Sequence, residues 1–462
     1  MKKLLFTILI ILFCLTSFML VSCDGEEYTT TVKPPEFSIT YELNGGTNNT
    51  ENPSGYNTGD TVSLAFPERA DYMFAGWYTD SALTNEIKEI KDREESLTLY
   101  AKWIPYDDVF EFYEGTDYCS IRIAPDYEVE TIIIPSKYNN LPVTKISSLF
   151  NGNYESVKAV IIPDSVASID TQAFVRNYLN DNVNLSLEYI GVDSNNPYFK
   201  SVDGVLYSKD GKILIKYPPL KNGSSFTVPE GVESINKHAF ARNKNLKNVI
   251  IPNTVTSIGI RAFMFSEALE DIVIPNSVTK VEYGAFYKCK SLRSVTLSSA
   301  MEIIEFSTFE FCSALKSIVI PNNIKSIGRE AFCYCTSLES VTIEEGVNVI
   351  GTLVFANCTS LTSIEIPSSV TTLSLQVFED CTSLKNITIP DSITSIENGV
   401  FNGCTSLEIL IIPDSVATLE AGTFNFCNNL TVYCEAEEQP EGWSSSWVHD
   451  VKEVVWGYKE EQ

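Results

Sequence analysis

The chain is predicted to be mainly β, a solenoid of 23-residue repeats preceded by a small β module, and three observations predict it. Phe240, Phe263, Phe286, Phe309, Phe332, Phe355, Phe378, Phe401 and Phe424 recur at a constant step of 23 residues. Leucine keeps the same step from Leu246 through Leu430. Within each unit a short apolar alternation runs into a proline, as at Pro229, Pro252, Pro275, Pro321, Pro367, Pro390 and Pro413, with Ser298 and Glu344 at the two remaining places. Self-similarity at a fixed period marks a repeat architecture, because one unit cannot bury its apolar face without stacking on the next.

The elements follow in chain order. Lys2 and Lys3 precede an apolar run from Leu4 to Val21, and Leu20-Val21-Ser22-Cys23 follows. A charged start, a hydrophobic stretch and a small residue before a cleavage point make an export signal over residues 1–22. The tetrad ending in Cys23 resembles the lipobox of bacterial lipoproteins, which implies cleavage before Cys23 and lipidation of its thiol. An ordinary signal peptide and an uncleaved anchor are the alternatives, since eighteen apolar residues are just enough to span a bilayer. Residues 23–35 are polar and end in Pro34-Pro35, the composition of an extended tether.

Residues 36–103 form a separate small module. Phe37-Ser38-Ile39-Thr40-Tyr41-Glu42-Leu43 alternates as a strand does and runs into a turn at Asn44-Gly45-Gly46. Thr61–Leu64 and Leu97–Trp103 read as further strands. Phe74, Trp77, Tyr78 and Trp103 are either a ligand platform or the core; a domain this small needs its aromatics for the core. The Tyr41–Gly46 run, Phe74-Ala75-Gly76-Trp77-Tyr78 and Leu99-Tyr100-Ala101-Lys102-Trp103 together resemble the Listeria-Bacteroides repeat, the internalin B-type repeat. That resemblance implies a β-grasp-like fold used as a spacer or weak partner-binding unit on bacterial surface proteins.

The repeat array is predicted over residues 105–434. In one unit Leu384, Ile387 and Ile389 keep the L-x-x-L-x-L spacing. Ile387 and Ile389 therefore point inward from a short strand and Thr388 outward. Pro390 cannot donate a ladder hydrogen bond and ends the strand. Ile393, Ile396 and Phe401 complete the coil interior. Upstream, Pro163 with Phe174 makes one more intact unit and Pro135 with Phe150 an atypical one. Near 195–218 the Lys209-Asp210-Gly211-Lys212 turn between apolar runs reads as a β-hairpin insertion. Residues 435–462, with Trp443, Trp447 and Trp456, are predicted to cap the open end, whose last strand would otherwise expose its edge. The Cys-Thr-Ser-Leu, Ile-Pro and Phe pattern is similar to the BspA-like, or Treponema-type, leucine-rich repeats of bacterial surface proteins. The fold class is thus a leucine-rich-repeat solenoid, and the resemblance implies adhesion to host proteins or other bacteria.

Composition bounds the function. Apolar residues make up 44% and charged residues 20% of 462 residues, with a formal charge of -27, and no cluster of Lys and Arg stands out. A phosphate-tracking groove needs such a cluster, so nucleic acid is excluded as a partner. Cys289, Cys312, Cys335, Cys358, Cys381, Cys404 and Cys427 occupy one repeat position, held by Asn243 and Ser266 in earlier copies. An inward thiol column that satisfies loop backbone and a set of disulfides are the two readings; the odd number favours the column. The chain has two histidines, His238 and His449, with no Asp or Ser in triad relation to either, and no phosphate-cradling glycine loop. No catalytic residue, cofactor or metal site is expected.

What remains is the outward sheet face. Ile250, Val273, Thr296, Val319, Thr342, Glu365, Thr388 and Ile411 form its outward column, flanked by Lys247, Glu270, Arg293, Lys316, Glu339, Thr362, Lys385 and Glu408. The candidate ligand-binding residues are Glu270, Arg293, Thr296, Lys316, Glu339, Thr342, Glu365 and Lys385. The expected protein is a lipid-anchored, surface-exposed envelope protein that binds an extracellular protein or glycan; an envelope scaffold without a dedicated ligand is the alternative.

Overall fold

The computed structural model describes residues 33–124, 129–147, 149–150, 156–174 and 186–459. The export segment, Cys23 and nearly all of the tether lie outside the described residues.

In the first module Phe37–Glu42 and Leu97–Pro105 lie side by side and parallel, Ile39 opposite Leu97 and Glu42 opposite Tyr100. Tyr72–Tyr78 pairs antiparallel on the far side of Leu97–Pro105, and Gly55–Tyr56 and Glu86–Ile87 close the edges of this five-stranded sheet. Alternate residues Leu97, Leu99 and Ala101 are buried, as strand geometry requires. Phe74 and Trp77 are buried with them, and the indole of Trp103 donates to the Leu43 carbonyl at 2.8 Å. These rings form the core and are not an open platform. The register slips between Phe74 and Gly76, where Gly76 has φ 127°, a bulge conformation that favours glycine.

The module packs directly onto the first coils. Leu97–Pro105 runs straight into a helical turn, Tyr106–Val109. Met73 is buried in a cluster with Ile121, Ile132 and Ile146 of the first coils, and Lys88 pairs with Glu130. The physical reason is the open end of a solenoid: the first coil has an apolar face with no preceding coil to cover it. The module covers part of it.

Each regular coil has three sides. The first carries a strand of three or four residues, from Ser225–Thr227 through Asn248–Ile250, Asp271–Val273, Ser294–Thr296, Ser317–Ile320, Ser340–Ile343, Ser363–Glu365 and Asn386–Thr388 to Ile409–Ile412. The second carries a two-residue strand, from Ser234–Ile235 to Thr418–Leu419. Both ladders are parallel and in phase: Phe226 lies opposite Val249, and Ile235 opposite Ile258. The third side is a turn that holds the phenylalanine. Rings from Phe240 to Phe424 stack coil on coil with centroids 4.7 to 5.9 Å apart. Each ring is at most 1% exposed, and each contributes about 1.5–3 kcal/mol of apolar burial.

On that third side the backbone adopts an alternation that periodicity did not reveal. The N–H groups of His238, Phe240 and Arg242 donate to the next coil, while those of Ala239, Ala241 and Asn243 donate back three residues. The geometry requires a left-handed residue two positions before and two after each phenylalanine, such as His238 (φ 58°) and Arg242 (φ 63°).

The predicted hairpin near 195–218 differs in extent. Three antiparallel strands occur, Phe199–Val202, Val205–Ser208 and Ile213–Lys216, so there are two hairpins. The additional turn is Asp203-Gly204, with φ 49° and 74°, a two-residue turn whose right-handed twist suits a hairpin. Ile213–Lys216 then pairs in parallel with Ser234–Ile235, so the segment starts the second ladder. At the other end Glu453–Val455 pairs with Thr431–Cys434, while Trp443 and Trp447 are buried against the last coil.

Candidate binding face

The first ladder builds the candidate face from its smallest parts. In six of the nine strands the central residue, Val249, Ile272, Ile318, Val341, Ile364 or Ile387, is buried and its two neighbours are exposed. Alternation therefore projects one column through Ile250, Val273, Thr296, Val319, Thr342, Glu365 and Thr388, all exposed, with Ile411 half-buried. Ile250, Val273 and Val319 are 51–61% exposed, an apolar stripe within a polar surface.

The flanking column is tied together by its backbone. Glu270 N–H donates to Lys247 O, Arg293 to Glu270, Lys316 to Arg293, Glu339 to Lys316, Thr362 to Glu339 and Lys385 to Thr362. Each of these side chains thus stands one coil above the last, about 4.8 Å away. Of the predicted site residues, Arg293, Thr296, Lys316, Glu339, Thr342, Glu365 and Lys385 are exposed and Glu270 is half-buried, all on this one face. Glu270 is bracketed by Lys247 at 2.9 Å and Arg293 at 3.7 Å. Its hydrogen bond from Lys247 holds its carboxyl below the ordinary range.

A third exposed column was missed from sequence. Asn248, Asp271, Ser294, Ser317, Ser340, Ser363, Asn386 and Ile409 lie two residues before the outward column and share its direction. The signal was the same alternation, carried one step further toward the strand start. Four consecutive serines there leave the face low between two ridges of longer side chains.

Inside the coil the cysteine position forms a hydrogen-bonded column. Cys289 Sγ donates to Phe263 O at 3.1 Å, Cys335 to Phe309 O at 3.2 Å and Cys427 to Phe401 O at 3.1 Å, with the members between doing the same. Ser266 fills the same role toward Phe240 O at 2.9 Å. All ten described cysteines are free and buried. Burial pushes the Cys335 thiol well above its usual range. Cys333 beside it is also buried, and among the described residues no three His, Cys, Asp or Glu side chains are grouped to hold a metal ion. His238 is buried with Nδ1 3.3 Å from Thr171 O, and desolvation lowers its imidazole to about 3, whereas His449 is exposed in the cap.

A parallel repeat solenoid with an inward phenylalanine column and an outward sheet face defines the class. The model of the BspA type leucine rich repeat region matches in six copies over residues 126–196, 220–336 and 302–431, more than half of the chain. The chain belongs to that family. The Listeria-Bacteroides repeat domain matches residues 37–102. Among solved structures, a leucine rich cell surface protein from Faecalibacterium prausnitzii is 26% identical, with 76% of this chain and 94% of that chain covered and a TM-score of 0.47. A leucine-rich repeat protein from Eubacterium ventriosum is 23% identical, covering 64% of this chain and 93% of that one, with a TM-score of 0.42. Among curated proteins, one from Evansella cellulosilytica described as a membrane protein is 39% identical over 88 residues, 18% of this chain and 13% of its own length. The chain thus spans only a small part of that relative.

Proposed function

We propose that the chain is a non-catalytic envelope protein that uses its exposed sheet face to bind an extracellular protein or glycan, and so serves adhesion. The observation that carries this reading is the face itself. It presents an aliphatic stripe through Ile250, Val273 and Val319, beside a file of mixed charges from Glu270 to Lys385. Apolar area supplies affinity and the ordered charges supply register, the division of labour of a protein-recognition surface. Across nine coils the face extends about 40 Å, long enough for a macromolecular partner. Its display outside the cell is in keeping with relatives described as cell surface and membrane proteins.

A pull-down of host or community proteins and glycans on the immobilised protein tests the reading. Reversing Arg293, Lys316 and Lys385 together to Glu should abolish capture without altering the melt. Capture of nothing by the native protein would favour a scaffold without a dedicated ligand, and turnover of a glycan or peptide library would favour an enzyme. Lipidation at Cys23 would tether the array; two or three acyl chains, at about 0.8 kcal/mol per buried methylene, hold a protein to a membrane firmly. Cys23→Ala is expected to release the protein from the membrane fraction, and its recovery there at normal abundance would reject the anchor.

A further inference from the structure

The last regular coils and the C-terminal cap line an open cavity away from the sheet face, on the turn side of the solenoid. It measures about 280 Å³. Gln376 stands at one end and His449 of the cap at the other, with Gly399, Asn402, Gly422 and Asn425 between them. The volume lies at the small edge of the range for ligand pockets, about 300–1,000 Å³, and suits a single compact unit.

Glycine makes the space, and the backbone does not demand it. The residue two positions before each phenylalanine is left-handed in every regular coil, yet His238, Arg261, Ser307, Glu330, Leu353 and Gln376 hold that conformation with full side chains. Gly399 and Gly422 omit the side chain in two successive coils. A Cβ at Gly399 would stand 3.0 Å from Gln376 Cγ, and one at Gly422 would stand 3.0 Å from Asn425 Nδ2. The cavity is the volume those side chains would enter.

The walls carry acceptors without donors. Glu379 Oε1 accepts from Gln376 Nε2 and from Asn402 Nδ2, both at 2.8 Å. A carboxylate only accepts, so the Asn402 amide must turn its nitrogen to Glu379 and its oxygen away. Asn402 Oδ1 and Asn425 Oδ1 are both buried with no hydrogen-bond partner among the described residues. Leaving such an atom unpaired costs about 1–3 kcal/mol, and folded proteins seldom accept it. The last torsion of an asparagine is soft, so a modest rotation lets each oxygen meet an entering donor.

The lining is amide, hydroxyl and imidazole, with no Lys, Arg, Asp or Glu among the lining residues. That chemistry suits a neutral, hydroxyl-rich ligand and offers nothing to balance an ionic one. We propose that this cavity is a subsite for one neutral sugar unit, whose hydroxyls are held by Asn402, Asn425 and His449.

The chain has two histidines, and they make the test direct. The imidazole C–H resonances of His449, which lines the cavity, and of buried His238, which does not, are followed by NMR in the purified full-length protein. Glucose, galactose, mannose and N-acetylglucosamine are titrated in turn, with glucuronate and tetraglycine as comparisons. At least one neutral sugar should shift His449 saturably and leave His238 in place. Gly399→Gln installs the side chain that Gln376 carries at the same place one coil earlier, so it should fold and weaken binding about tenfold or more, the equivalent of one lost hydrogen bond. Asn425→Ala carries the same expectation should that variant not fold. Charge reversal on the sheet face should leave the His449 response intact, so failure of this subsite and failure of the sheet face are distinguishable. Silence of His449 toward all four sugars, a response only to glucuronate or tetraglycine, or unchanged binding in both variants would overturn the proposal.

Discussion

At the scale of single residues, the cysteine column shows how one repeat position does one task. Its place was legible from spacing alone, because seven cysteines fall where earlier copies have Asn243 and Ser266. The task is specific: each Sγ closes the carbonyl of the phenylalanine one coil back. Cys335→Ser should therefore stay close to the parent in stability, since Ser266 already makes the equivalent bond, whereas Cys335→Val should lose about 0.5–1.5 kcal/mol, the net worth of one hydrogen bond, because Phe309 O keeps only its bond from the Cys312 N–H. Equilibrium denaturation of the two variants checks the contrast; equal losses would mean that the thiol acts by volume alone. The left-handed residues around each phenylalanine were not legible, because side chains as different as Glu330, Leu353 and Tyr334 occupy them and no composition marks the conformation.

At the scale of elements, the strand Ile213–Lys216 joins the hairpins to the regular array and carries a buried cation. Leu214 and Lys216 both point inward, and Lys216 Nζ donates to His238 O at 3.0 Å and Ala241 O at 3.3 Å. Burial, aided by the nearby Arg242 charge, lowers this amine from 10.5 to about 7. Between those two values the unfolded chain holds a proton that the folded chain lacks. Stability should thus rise with pH across that window, by up to about 1.4 kcal/mol per unit, and the gain is absent below it. Lys216→Met should flatten the rise measured by urea denaturation at pH 7 to 10, whatever it does to stability at neutral pH. An unchanged slope would assign the effect elsewhere. The alternation that puts Leu214 inside also puts Lys216 inside, but the unbroken run Ile213-Leu214-Ile215 hides its phase in the sequence. The candidate face was more legible, since seven of its eight named residues emerge exposed and the eighth half-buried on one surface. Its serine column was overlooked because small polar residues at a strand start resemble turn residues.

At the scale of the whole molecule, the period of 23 residues determines what lies inside and what lies outside. One slip would move every phenylalanine off its stack and turn the face from Ile250 to Ile411 out of file. Local repetition made this much readable. The docking of the first module through Met73 was not, because a contact between residue 73 and Ile132 leaves no periodic trace in either segment. Nor was the cavity beside His449, which depends on cap and coils meeting in space.

Thermal unfolding of two deletion variants tests the columnar register most directly. Removal of residues 336–358 excises one whole period and rejoins Cys335 to Thr359, a junction identical to that of the coil removed. A cooperative melt close to that of the parent is predicted, with the terminal tryptophans still buried by fluorescence. Removal of only the first half of that stretch, residues 336–347, should abolish cooperative unfolding. If both deletions melted alike, folded or unfolded, the stacked columns would not be what holds the solenoid together.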